Sequence, residues 1–135
     1  KNYKIDVCSK DYIFDLDSDE MPTVELLKTI KKVVQLKKDV YFIPRVNTVS
    51  GLTEEYKKQF DYFPDKRGFI NFPDYQLRLF RKDNNIRWSG KTHEKLLGFT
   101  NQVILSPEPR ISIFHEKNIF EYFFNIFLIL CWIRR

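Results

Sequence analysis

The chain has 135 residues and a mass of 16.4 kDa, room for one domain or for part of a larger one. Hydrophobic residues make up 43% and charged residues 30%, which supports a core and excludes wholesale disorder, collagen-like repeats and low-complexity sequence. Lys and Arg total 23 against 18 Asp and Glu, so the net charge of +5 suits an anionic partner (a nucleotide, phospholipid or nucleic acid) without choosing among them.

The two cysteines, Cys8 and Cys131, make neither a disulfide framework nor a metal pair, and a reducing compartment is expected. The chain opens on Lys1 without a charged-then-apolar signal segment and reads as cut from something longer.

Residues 1–10 read as the end of a helix. Tyr12, Ile13 and Phe14 form a short apolar run that opens into Asp15-Leu16-Asp17-Ser18-Asp19-Glu20, the pattern of a buried strand with functional groups at its C-terminal end. In open α/β sheets that edge is where ligands sit. Pro22 is expected to begin a helix. Its apolar stripe is Val24, Leu27, Ile30 and Val34, widened by Leu26 and Val33, and its lysines are expected on a solvated face.

Residues 40–43 read as a second strand, which Pro44 ends or places at an edge. Residues 47–74 carry turn signals at Gly51, Pro64, Gly68 and Pro73 and read as a functional loop or lid, with a short helix over 53–60. Residues 75–80 alternate as a strand; Asp83-Asn84-Asn85 is a turn from which residues 86–88 are expected to pair back as a hairpin. Residues 111–114 form a last short strand, ending at His115.

The tail over 119–133 (IFEYFFNIFLILCWI) is strongly apolar but shorter than the about 20 residues of a bilayer-spanning helix. It is expected to be a core helix or an interfacial membrane helix, with a truncated span as third reading.

The acidic run is the main chemical signal. Four carboxylates within six residues repel one another, and a divalent cation with hard oxygen ligands, Mg²⁺ or Mn²⁺, would neutralise them. The alternative is an acidic cap on the following helix. A calcium loop starting at Asp15 fails, because Glu20 stands where glycine is needed and Leu26 where glutamate is needed. The run IFDLDSD also resembles the opening of haloacid-dehalogenase-type phosphatases, but no Asp-Asp pair follows downstream.

Residues 11–20 (DYIFDLDSDE) resemble the Asp-x-Asp (DXD) segment of family 2 glycosyltransferases with the GT-A fold. Further matches follow in order: Arg45-Val46-Asn47 with Gly51; residues 72–81 (FPDYQLRLFR), similar to the Pro-Asp-x-Gln-x-Arg-Leu-Phe-Arg block of the lipopolysaccharide-core-type subgroup; residues 86–94 (IRWSGKTHE), similar to its Trp-x-Gly-x-Val-His-Glu block; and residues 111–115 (ISIFH). The resemblance covers roughly residues 1–116, without the N-terminal nucleotide-binding half of that fold.

It implies an α/β fold, a partial GT-A (Rossmann-like) mixed sheet with flanking helices. Residues 1–116 would be the metal- and acceptor-side part, and residues 117–135 an apolar C-terminal helix. It implies metal-dependent, inverting transfer of a sugar from a nucleotide-sugar donor to a saccharide or lipid-linked acceptor, as in making cell-envelope polysaccharide. The setting would be cytoplasmic, at the inner face of a membrane reached through 119–133, with no nucleic-acid partner. Asp17, Asp19 and His115 match metal ligands; Asp15, Asp17, Arg78 and His93 match donor and diphosphate contacts; Glu94 or Asp74, with Glu94 preferred, would accept the acceptor proton. The competing classes are the phosphatase and a basic nucleic-acid-binding module.

Overall fold

The structure, a computed structural model, describes residues 1–92, 94–118 and 129–130. It is a mixed α/β fold. In chain order the elements are α1 (Asn2–Val7), β1 (Tyr12–Asp15), β2 (Glu20–Pro22), α2 (Val24–Val33) with a 3-10 turn (Val34–Leu36), β3 (Val40–Ser50), α3 (Glu54–Phe60), β4 (Ile70–Arg81), β5 (Arg87–Ser89), β6 (Lys95–Leu97), β7 (Gln102–Ile104), β8 (Ile113–Asn118) and β9 (Ile129–Leu130).

Seven strands form one mixed sheet in the order β2-β8-β3-β4-β1-β9, with β7 also on β3; β5 and β6 form a separate hairpin. β3 is the axis. It runs antiparallel to β4 and parallel to both β7 and β8.

Apolar side chains leave both faces of this sheet. One face carries Tyr12, Phe14, Tyr41, Ile43, Leu79 and Ile113, covered by Leu26, Ile30 and Val34 of α2 and its 3-10 turn. The other carries Ile13, Val40 and Phe80, covered by Ile5 and Cys8 from the α1 segment and by Ile86 and Leu96 around the small hairpin. Each fully buried Leu or Ile contributes about 1.5–3 kcal/mol of transfer free energy, so both faces are needed to hold the sheet. Trp88 joins the second face, edge-on to Phe80 with ring centroids 6.1 Å apart.

Five expected elements differ. The loop expected over 47–74 is shorter, because β3 runs on to Ser50 and β4 already begins at Ile70. Pro22 does not start a helix. It pairs with Ile113 in β2, and Thr23 caps α2 by accepting the Leu26 amide at 3.0 Å. The later start leaves Val24 exposed, and the buried stripe becomes Leu26, Ile30 and Val34. β3 does not end at Pro44 either. On the side away from β4 its partner changes from β7, last paired at Phe42, to β8, first paired at Arg45, so the proline stands in the gap between two neighbours.

The 83–85 turn forms, with the Ile86 amide bonded to the Asp83 carbonyl at 3.2 Å, but residues 87–89 pair with β6 rather than back onto β4. β4 already lies between β3 and β1 and offers no free edge, and Ile86 is buried with Ile5 and Cys8 instead. Finally, His115 lies inside β8, whose strand continues through Lys117 and Asn118, where an apolar helix was expected to begin. Ile129 and Leu130 are a strand on β1, not helix; the rest of 119–135 lies outside the described residues. Among the described residues no helix is long and apolar enough to cross a membrane.

Candidate functional site

The acidic run closes into a tight turn after β1. The Glu20 amide donates to the Asp17 carbonyl, and the Asp17 amide donates back to Glu20 Oε2, both at 3.1 Å. This reciprocal pair turns the chain so that Glu20 enters β2 with its side chain inward. Its carboxylate has no exposure and lies between two guanidiniums, with Arg45 Nη1 at 2.9 Å and Arg78 Nη2 at 2.7 Å. Glu20 is thus an ion-pair centre rather than a helix cap.

Arg45 and Asn47 alternate on β3 and so share a face. Arg45 Nε and Nη2 both donate to Asp74 Oδ2, at 3.0 and 2.7 Å. Asn47 Nδ2 donates to the same oxygen at 2.9 Å, and Gln76 Nε2 to Asp74 Oδ1 at 2.7 Å. The register between β3 and β4 shifts at Tyr41/Phe42, where Leu79 and Leu77 are the successive partners and Arg78 is passed over. Such a bulge re-aims a side chain. Leu77 joins the face under α1, Leu79 the face under α2, and Arg78 reaches across to Asp17 and Glu20.

At the other end of the network His115 Nδ1 meets Asn47 Oδ1 at 2.8 Å, and its Nε2 meets Asp19 Oδ2 at 3.0 Å. Eight side chains therefore form one continuous path: Asp19, His115, Asn47, Asp74, Arg45, Glu20, Arg78 and Asp17. The two ends of the path, Asp17 and Asp19, are the open ones, each with 43% side-chain exposure.

The electrostatics follow from these contacts. Burial alone would raise the Asp74 carboxyl, but the hydrogen bonds from Asn47 and Arg45 and the Arg45 charge outweigh it and hold the group below the ordinary carboxylate value. Asp19 behaves in the same way: burial raises it, and the hydrogen bond and charge that a protonated His115 supplies, with the nearby charge of Lys117, prevail and lower it. Burial would lower the Arg78 guanidinium, but Glu20 and Asp17 raise it, so it stays charged. Within the path itself four carboxylates face two arginines while His115 is neutral, and Lys117 adds positive charge near Asp19.

The tautomer of His115 is set by its neighbour. Asn47 gives its amide protons to Asp74, so its oxygen faces His115, and Nδ1 must carry the proton. In the neutral ring, Nε2 then aims a lone pair at the Asp19 carboxylate. Two lone pairs at that distance repel unless a positive charge joins them, either a second ring proton or a cation.

The network brings together five residues that the sequence marks for chemistry: Asp17, Asp19, Asp74, Arg78 and His115. Asp15 is not among them. The strand ends at Asp15, which is buried and bonded to Lys4 of α1 at 2.9 Å, so it parts from Asp17 instead of sharing its face. Glu94 pairs with Lys1 at 3.4 Å and enters none of the network's bonds. His93 lies outside the described residues. Arg81 is held by the buried Asp39 at 2.8 Å.

Glu20, Arg45, Asn47 and Gln76 are members that sequence reasoning gave no firm role. Polar residues at alternate positions of an otherwise apolar strand were the available signal for Arg45 and Asn47. Among the described residues no group of three or more His, Cys, Asp or Glu side chains converges as a ready metal cage. Comparisons with protein-family models, with curated proteins and with solved structures found no match to this chain.

Proposed function

We propose that this chain is the metal- and acceptor-side portion of a family 2 glycosyltransferase of GT-A type, which transfers a sugar from a nucleotide-sugar donor to a saccharide or lipid-linked acceptor with inversion. One observation carries the reading: His115 Nε2 lies 3.0 Å from the Asp19 carboxylate, at an exposed end of a path that joins four carboxylates to two arginines.

A divalent cation resolves that contact, and the donor chemistry fits Mg²⁺ or Mn²⁺. These ions are commonly held by one or two protein ligands and completed by water and substrate phosphates, not by a full protein cage. Adjacent ligands of an octahedral ion of this size are also about 3 Å apart. Asp19 and His115 would hold the ion, which when bound supplies Lewis acidity toward the leaving diphosphate.

The remaining residues have distinct duties in this reading. Asn47 orients the imidazole and fixes its tautomer. Asp74 accepts four hydrogen bonds, three of them at Oδ2, and acts as a clamp for Arg45. That favours Glu94, with its single lysine partner, as the carboxylate that takes the acceptor proton. The setting in this reading is the cytoplasmic face of a membrane, where a lipid-linked acceptor of cell-envelope polysaccharide synthesis is found.

The test is calorimetric titration with Mn²⁺ and then with a nucleoside diphosphate. The parent chain is expected to bind Mn²⁺, and the nucleotide in a Mn²⁺-dependent way; Asp19→Ala is expected to lose both. Equal binding by Asp19→Ala and parent would overturn the assignment.

A further inference from the structure

The charge of this chain is unevenly placed. Residues 24–38 carry five lysines (Lys28, Lys31, Lys32, Lys37 and Lys38) against one acid, Glu25, a net of +4 within a chain whose total is +5. Most of this segment is α2, whose apolar stripe is already committed: Leu26, Ile30 and Val34 are buried against the sheet. The opposite face is open to solvent and carries Lys28, Lys31, Lys32 and Gln35. Glu25 meets Lys28 at 3.5 Å in an exposed pair, which neutralises little. Asp39, the next acid in sequence, is turned into the fold and bonded to Thr100 and Arg81.

Lys28, Lys31 and Lys32 stand at spacings of three and four, so they are neighbours on the helix surface. Four residues of helix span about 6 Å, less than the Debye length of about 10 Å at 0.1 M salt. The three charges therefore act together on an anionic surface. Val24, 69% exposed, and Leu36, 57% exposed, bracket them at the two ends of the segment.

We infer that the outer face of α2 docks the chain, peripherally and reversibly, onto an anionic lipid bilayer. A cluster of lysines on a helix is the pattern that anionic headgroups attract. Nucleic acid fits less well. Residues 24–38 contain neither arginine nor an aromatic ring, the side chains that read base edges or stack on unpaired bases. The exposed Val24 and Leu36 suit the boundary between headgroups and acyl chains and gain nothing from a phosphate backbone. Because the apolar stripe of α2 faces the core, the contact is electrostatic rather than an insertion. The functional reading supplies a membrane as the setting; this inference assigns the surface that reaches it, and it involves no metal ion.

The experiment is co-sedimentation of the full chain with phosphatidylcholine vesicles, with and without about one-third phosphatidylglycerol, at about 0.1 and 1 M salt. The parent is expected to bind the anionic vesicles alone and to leave them at high salt, where the Debye length falls to about 3 Å. A lysine near an anionic surface is worth about fivefold in partitioning, so replacing Lys28, Lys31 and Lys32 together by Gln should weaken binding about 100-fold. A control variant replaces three exposed lysines of other segments, Lys58, Lys66 and Lys95, by Gln. It changes the net charge equally and should stay within about threefold of the parent. Circular dichroism checks that both variants fold, and the salt and headgroup arms need the parent only.

Equal losses in the two variants would mean that net charge, not this face, does the binding, and would overturn the assignment. Equal binding to neutral and anionic vesicles, binding that survives high salt, or no vesicle binding by the parent would each overturn it as well. Duplex DNA serves as the competing anion. If the parent binds DNA, the α2 variant does not, and vesicles retain neither, the face belongs to nucleic acid and the lipid assignment is overturned. None of these outcomes bears on the Mn²⁺ titration that tests the functional reading.

Discussion

His115 and Asp19 are 96 residues apart in sequence and 3.0 Å apart in space, and the contact depends on Asn47 at the far side of the ring. Without the Asn47 carbonyl oxygen, the imidazole can take either tautomer and can rotate.

Asn47→Ala is therefore expected to weaken Mn²⁺ binding about 10- to 100-fold, the usual cost of losing an outer-sphere partner. Glu94→Gln is the contrasting variant, because Glu94 pairs with Lys1 and, among the described residues, joins none of the cluster's bonds. It should bind Mn²⁺ within about twofold of the parent. Titration of the two variants side by side checks both expectations.

Glu20 has the most to lose on truncation. Its carboxylate is fully buried between Arg45 and Arg78, and Glu20→Ala strands two guanidiniums, of which only 17% and 12% is exposed, without their shared partner. Breaking a buried ion pair from one side costs about 3–5 kcal/mol. Urea unfolding should show a loss of that size, and a shift below about 1 kcal/mol would mean that the arginines re-pair without it.

Acid should destabilise the fold through carboxyls whose values are lowered. Burial would raise Asp39, but the backbone and side-chain hydrogen bonds of Thr100 and the charge of Arg81 hold it below its ordinary 3.8. A depressed carboxyl lends stability above its unfolded value and loses it as pH falls through the folded one. Asp39, Asp19 and Asp74 all share this sign. Unfolding midpoints should thus hold from about pH 7 to 5 and fall steeply below about pH 4. In Asp39→Asn that fall should be shallower. An equal slope in the variant would remove Asp39 from the account.

Gly98 tests the packing of the small hairpin. Its φ is +86°, and a Cβ there would meet the Asn85 carbonyl oxygen at 1.8 Å. Gly68, with φ +82°, has open space around the same position. Gly68→Ala should cost about 1 kcal/mol of left-handed strain, and Gly98→Ala clearly more, about 3 kcal/mol or above, because backbone must move. Thermal melts of the two variants rank them directly.

The legibility of this chain divides along physical lines. β1 was readable because its apolar run is short, uninterrupted and closed by acids, and α3 because Thr53 caps it as its sequence advertises. The resemblance marked Asp17, Asp19, Asp74, Arg78 and His115 for separate duties, and only the fold shows them joined in one network. Pro22 and Pro44 misled for one reason. The cost of a proline depends on whether a neighbour asks for its amide, and that is decided by strand order, which no local window contains. Residues 75–80 read as a regular alternation, and only the pairing with β3 shows that the strand bulges at Arg78. Asp15 stands apart from the network because it is the last residue of β1 and pairs with Lys4 of α1.

The short helix between the two central strands buries none of its side chains and is held by its own Thr53 cap and a Lys57–Glu54 pair. Removing it would therefore uncover nothing in either core. New chain ends, a fluorescent reporter or a foreign loop can be grafted there at little energetic expense, and natural sequence drift at this spot should run faster than anywhere along the strands it connects.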